Sequence, residues 1–220
     1  MLEQLKKWNI KGIIWDVDGT LADLNTTYYK FITTHPKFKE YFKQLKYHDL
    51  DKALPIDPIY GAIELKTHPT LGVDLDKTFC HSNDYYFDRQ LYAGTADTLY
   101  YLHKLGYKQF ILSAGFNIDK KKKLLSQMFK DMPFIEIESV EHDKNGMEQG
   151  NTKEIKILEM IKKNNFKPNE VVLVDDRIYN IYSALKAGIR AIRFRSEFTL
   201  PNPPDLKDVP EVKDIREFLQ

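Results

Sequence analysis

The chain has 220 residues, with 33 Lys and Arg against 32 Asp and Glu, and 42% of its residues are hydrophobic. That length allows one large domain or a core with a smaller insert, and the apolar content is enough for a substantial buried core. Nearly cancelling charges give no electrostatic basis for a nucleic acid or an anionic membrane as the main partner, and a single cysteine, Cys80, excludes an intrachain disulfide or a thiolate metal cluster.

Met1 to Trp8 has no apolar h-region of the kind a secretory leader carries, and no later stretch approaches the length of a membrane span. The reading is a soluble, cytoplasmic chain, in keeping with its sparse cysteine. A first strand is predicted over 12–15, and it runs straight into Asp16-Val17-Asp18-Gly19-Thr20. Residues two apart in a strand share a face, so Asp16 and Asp18 can converge where the strand stops. Crowding two carboxylates is unfavourable unless a cation or a shared proton offsets their repulsion. Gly19 permits a sharp turn and Thr20 adds a hydroxyl and an amide, a combination that suits Mg²⁺ and a phosphoryl group. A plain Asp-Gly β-turn is the bland alternative. A calcium loop is disfavoured, because Leu21-Ala22-Asp23-Leu24 lacks the alternating oxygen ligands such a loop requires.

Residues 23–92 contain no strand of the core type. They are rich in Tyr, Phe, Lys and His, with Pro55, Pro58 and Pro69 punctuating helical stretches such as 26–45. This segment reads as a helical insert placed to cover the edge of a sheet. Its aromatics, among them Tyr28, Tyr29, Phe31, Tyr85, Tyr86 and Phe87, are expected to form the insert's own core.

Beyond it, helical patterns at 95–105, 118–132, 153–164 and 180–187 alternate with apolar runs at 109–112, 134–137, 171–174 and 191–194. Strands and helices alternating at this spacing indicate βαβ units and a parallel sheet, which makes the fold α/β. Gly106 and Gly188 stand where helix C-caps belong. A loop is predicted over 201–210 and a short final helix over 212–219.

Three further polar clusters fall where this architecture brings chain segments to one sheet edge. Phe110-Ile111-Leu112 ends in Ser113-Ala114-Gly115, a hydroxyl followed by small residues whose amides can approach an anion. Lys153 opens a predicted helix, where a cation opposes the helix dipole and makes sense beside phosphate or carboxylates. Val171 to Val174 ends in Asp175-Asp176-Arg177, and two adjacent acids can serve one site only where the strand gives way to a loop. Each cluster also has an ordinary structural reading as a cap, a solvated lysine or a charged loop. Asp119 followed by Lys120 to Lys123 reads as a solvated helix face, and the 6 histidines lack any zinc-ligand spacing.

Together, Asp16-Val17-Asp18-Gly19-Thr20, Ser113, Lys153 and Asp175-Asp176 resemble, in order and spacing, the motifs of the haloacid dehalogenase-like hydrolase superfamily. The resemblance covers essentially the whole chain. It implies a Rossmann-like three-layer α/β/α core from residues 1–22 and 93–220, with residues 23–92 as an inserted α-helical cap. Two departures mark this chain: Glu154 follows the lysine where many sugar-phosphate phosphatases carry Pro, and the last motif is Asp-Asp with Arg177 and Asn180 in place of Gly-Asp with a later Asp.

The resemblance implies a Mg²⁺-dependent phosphatase acting on a small phosphorylated metabolite. On that resemblance Asp16 would be the nucleophile and Asp18 the acid and base, and Ser113, Ala114 and Lys153 would hold the phosphoryl group. Mg²⁺ is expected against the Asp16 side chain, the Asp18 carbonyl and Asp176, with Asp175 as a direct or water-mediated ligand. A phosphomutase of the same superfamily and a catalytically idle phosphate-binding module are the rival readings. Lys66, His68, Arg89 and Arg193 are further candidate anion contacts, and the oligomeric state is left open.

Overall fold

A computed structural model describes residues 1–23, 91–115, 118–141, 152–195 and 201–220. The expected cap therefore lies almost wholly outside the described residues, together with its aromatics, Cys80, Lys66, His68 and Arg89. The rest forms a six-stranded sheet in which every pairing is parallel.

After a short helix α1 (Leu2–Lys7), the chain enters β1 (Gly12–Trp15). It resumes with α2 (Thr95–Lys104), β2 (Lys108–Gly115), α3 (Ile118–Met128) and β3 (Glu136–Glu141). Then come α4 (Thr152–Lys163), β4 (Val171–Asp175), α5 (Ile178–Lys186), β5 (Arg190–Phe194) and a two-residue β6 (Glu211–Val212). The spatial order is β3-β2-β1-β4-β5-β6. The chain thus builds outward from β1 to β3, then returns to the other side of β1 to lay down β4. Open α/β sheets bind ligands at such a reversal, in the crevice beyond the C-terminal strand ends.

Strand alternation divides the core into two layers. Ile13 and Trp15 face a cluster with Leu5, Leu99, Leu102, Leu125 and Phe129 from α1, α2 and the α3 region. Ile14 faces the other, with Ile157, Met160, Ile181 and Ala184 from α4 and α5. In β4, Val172 and Val174 join the first cluster and Val171 and Leu173 the second. Strands apolar on both faces belong in the middle of a parallel sheet covered by helices, and each such buried side chain is worth about 1.5–3 kcal/mol. The first layer is closed by Phe218, whose ring meets Trp15 edge-on at 5.1 Å. The Trp15 indole donates to Gln109 Oε1 at 3.2 Å, and Gln109 in turn donates to the Leu99 carbonyl at 2.7 Å, so these two buried side chains are satisfied in series.

The predicted strands and helices are present, with informative differences at their ends. Gly106 and Gly188 have φ of 90° and 78°, the left-handed geometry of a residue just past a helix end. β2 runs three residues beyond the predicted stop, through Ser113 and Ala114, because β3 continues to pair with it there. β3 begins at Glu136, two residues later than the apolar run suggested. Phe134 instead stacks on Phe129 with centroids 5.4 Å apart, while the polar sequence of the strand reflects its place at the sheet edge. α3 stops at Met128, four residues short of the expected end. The predicted C-terminal helix over 212–219 is corrected: Val212 pairs with Phe194 as a strand, and a 3-10 helix (Ile215–Leu219) starts afresh behind Asp214. Asp214 Oδ1 accepts from the Arg216 amide at 2.9 Å and the Asp214 amide donates to Glu217 at 3.1 Å, a reciprocal cap that sets the new start.

Candidate active site

β1 ends at Trp15, but the Asp16 amide still donates to the Val174 carbonyl at 2.9 Å, which holds Asp16 beside the end of β4. The loop then closes on itself. Val17 O accepts from the amides of Thr20, Leu21 and Ala22 at 3.2, 3.0 and 2.8 Å, and Gly19 takes φ 88° to allow the turn. Continuing the alternation past the strand ends carries Asp16 and Asp175 to the α4 side of the sheet, the same parity as Ile14 and Leu173. Lys153, in the first turn of α4, meets them there. Its Nζ donates to Asp16 Oδ1 at 2.7 Å and to Asp175 Oδ2 at 2.6 Å, with the lysine only 1% exposed.

Burial raises the Asp16 carboxyl to about 6 against the pull of Lys153, with the charges of Asp175 and Asp18 pushing the same way as burial. Burial also works against the charge of Lys153, yet Asp16 and Asp175 overcome it and hold the ammonium above its ordinary range. A cation at the start of a helix is unfavourable in isolation; two carboxylates in contact remove the objection.

Asp175 is saturated. Its Oδ1 accepts from the Arg177 amide at 2.8 Å and from Asn180 Nδ2 at 3.0 Å; its Oδ2 accepts from Lys153 and from Asn180 at 2.9 Å. Asp176 is fully buried, with Arg177 Nε 3.3 Å from its Oδ2. Because β4 ends at Asp175, the neighbouring acids escape strict alternation, and Asp16, Asp175 and Asp176 each present an oxygen within 4.8 Å of the other two. Carboxylate oxygens without sulfur or imidazole suit a hard cation such as Mg²⁺. Arg193, read from sequence as an anion contact, is instead committed inside the fold: it is buried and donates to the Asp176 carbonyl at 3.3 Å and to Asn202 at 3.1 Å.

On the other flank of β1, β2 carries Ser113 and Ala114 to the same edge. Ser113 is fully buried, and its hydroxyl has no hydrogen-bond partner among the described residues; the same is true of Thr20. A buried hydroxyl left unsatisfied is costly unless a ligand or water completes it. The Ala114 carbonyl accepts from Lys121 Nζ, which also donates to Asp18 Oδ2. The prediction of a solvated lysine face is therefore corrected at one position. Lys122 is exposed and pairs with Glu138 at 3.1 Å, whereas Lys121 is 3% exposed and points into the site. The signal was in the register: Lys121 shares a helix face with the buried Leu125, four residues on, a place where a solvated lysine does not belong.

Residues 13–194 match the family model described as haloacid dehalogenase-like hydrolase. The chain belongs to this family of hydrolases. No curated protein matches it. Solved structures share the fold at low identity. A haloacid dehalogenase-like protein from Agrobacterium tumefaciens is 18% identical with a TM-score of 0.68, covering 96% of each chain. A haloacid dehalogenase-like hydrolase from Streptococcus pneumoniae is 17% identical with a TM-score of 0.62, covering 96% of this chain and 97% of that one. CbbY from Rhodobacter sphaeroides, whose structures hold phosphate or xylulose-(1,5)bisphosphate, is 16% identical with a TM-score of 0.60, covering 94% of this chain and 96% of its own. The α/β architecture expected from the sequence is that of the haloacid dehalogenase-like fold. Among the described residues, no helix is long and apolar enough to cross a membrane.

Proposed function

We propose that the protein is a Mg²⁺-dependent phosphatase that hydrolyses a small-molecule phosphate monoester through an aspartyl-phosphate. The observation that carries this reading is the buried cluster at the strand reversal, where Asp16, Asp175 and Asp176 converge on one another and Lys153 bridges Asp16 and Asp175. Charge supports it. Among the described residues, four carboxylates (Asp16, Asp18, Asp175, Asp176) gather at this edge with Lys121, Lys153 and Arg177 paired to them. A divalent cation would offset the carboxylate charge further and make the pocket more attractive to a phosphate dianion.

In this reading Asp16 attacks phosphorus and Asp18 gives its proton to the leaving oxygen, then takes one from the water that releases phosphate. Lys153 keeps Asp16 aligned and anionic and also contacts a phosphoryl oxygen, while Ser113 Oγ and the Ala114 amide complete the oxyanion contacts. Asp16, the Asp18 carbonyl and Asp176 would hold Mg²⁺, which when bound neutralises charge on the phosphoryl oxygens. Asp175, with both oxygens already engaged by Lys153, Asn180 and the Arg177 amide, fixes Lys153 and would serve the ion through water. The likeness to CbbY, whose structures hold phosphate or xylulose-(1,5)bisphosphate, favours a small phosphorylated substrate. Residues 23–92 are assigned as the cap, and the compartment as the cytoplasm.

The test is release of inorganic phosphate from 4-nitrophenyl phosphate with and without Mg²⁺, followed by a panel of phosphorylated sugars, nucleotides and small acids. Asp16→Asn is expected to abolish turnover and Asp18→Asn to cut it sharply while leaving a measurable rate on a good leaving group, whereas undiminished turnover in Asp16→Asn overturns the nucleophile. Free phosphate as the product separates this reading from a mutase, which returns the group to another hydroxyl.

A further inference from the structure

We propose that Lys121 is a positioning residue that fixes the orientation of the Asp18 carboxyl for proton delivery, an inference that rests on the reading of Asp18 as the acid. Three observations carry it. The lysine is 3% exposed on a helix whose neighbouring Lys122 and Lys123 are solvated, so its burial has a specific compensation. That compensation is a pair of acceptors on two different elements, the Ala114 carbonyl at the end of β2 and Asp18 Oδ2 in the loop after β1. And Asp18 is itself largely buried, at 15% side-chain exposure, so the contact is screened far less than a surface pair.

An ammonium can only donate. The oxygen it faces, Oδ2, is therefore the accepting oxygen of Asp18, and the transferable proton must ride on Oδ1. Anchored by the Ala114 carbonyl, Lys121 ties the acid to the strand that presents Ser113, so acid and oxyanion contacts move as one unit. In the first displacement an Asp16 oxygen bonds to phosphorus while the bond to the leaving oxygen breaks. The electron pair departs with that oxygen, which takes the Oδ1 proton, and Asp18 is left as a carboxylate. In the second, water bonds to phosphorus, the Asp16–phosphorus bond breaks, and Asp18 recovers a proton. Lys121→Met removes this restraint on Oδ2 and the tie to β2.

The experiment measures kcat/KM, which reports the first displacement, for a series of substituted phenyl phosphates. 4-Nitrophenolate leaves with little help from a proton, whereas phenolate needs one. Lys121→Met is expected to lose about 100-fold on phenyl phosphate, and at least about tenfold less on 4-nitrophenyl phosphate, within the usual range for acid catalysis. Lys121→Gln, which keeps length and a donor and guards against misfolding, is expected to show the same tilt at smaller size. Asp18→Asn shows the tilt in full, and adding Lys121→Met to it costs no more than about threefold, since the two act as a unit. Equal losses across the series in both Lys121 variants, or losses that multiply with Asp18→Asn, overturn the inference and leave Lys121 a structural or phosphoryl contact. If Asp18→Asn has no tilt, the assignment of Asp18 as acid falls, and the inference with it.

Discussion

Replacing Lys153 by Met removes the cation that Asp16 and Asp175 share and leaves their charges facing Asp176. With oxygens within 4.8 Å of one another, two unit charges at an effective dielectric constant near 20 repel by about 3.5 kcal/mol. Breaking a buried ion pair by removing one partner costs about 3–5 kcal/mol on the same scale. Taking about 3 kcal/mol, and about 2.1 cal/mol/K of unfolding entropy per residue over the chain, Tm falls by about 6 °C. The loss has a sign in pH. Without the lysine, the folded-state Asp16 carboxyl rises further above its unfolded value, so the folded state binds more protons than the unfolded one. The stability deficit is then full at pH 8 and shrinks as pH falls toward 5 and Asp16 protonates. Thermal melts of wild type and Lys153→Met in metal-free buffer at pH 8 and pH 5 measure it. A Tm deficit below about 1 °C at pH 8, or one that does not shrink at pH 5, refutes the claim that Lys153 offsets this repulsion.

Four other outcomes follow from the same geometry. Asp16 sits near 6 without metal, so protons compete with Mg²⁺: apparent Mg²⁺ affinity by calorimetry weakens as pH falls below about 6 and levels off above it. Asp176→Asn raises the Mg²⁺ concentration needed for half-maximal activity at least about tenfold, whereas Asp175→Asn mainly lowers kcat because Lys153 loses its second partner; equal Mg²⁺ requirements in the two variants contradict the division of roles. Asn180→Ala removes two donors from Asp175 and costs about 1–3 kcal/mol by urea denaturation. Phe218→Ala, in the core layer on the sheet face away from Lys153 and edge-on to Trp15, costs about 3–5 kcal/mol, with kcat retained in the protein that remains folded.

The parallel sheet was legible because its central strands are apolar on both faces and two of its helices end in glycines with left-handed geometry. β3 was the harder strand to read: at the edge it needs only one apolar face, so Glu136 and Glu138 hid it while Phe134 mimicked a strand start. Asp16, Asp18, Ser113, Lys153, Asp175 and Asp176 could be singled out as a candidate site because each stands at or next to a strand end or helix start that a parallel sheet brings to one edge. Lys121 was not, since a run of four lysines averages to a solvated face unless each position is set against the apolar stripe of its own helix. The engagement of Arg193 depends on the fold of residues 201–210, which no local pattern specifies.

The central claim is that Asp16 bonds covalently to phosphorus during turnover. Borohydride quenching of the enzyme during steady-state hydrolysis reduces an acyl phosphate, and mass spectrometry of the peptides locates the reduced residue. The account predicts reduction at Asp16 alone, dependent on both substrate and Mg²⁺ and absent in Asp16→Asn. Continued phosphate release with no reduced residue, or with the mark on another side chain, contradicts it.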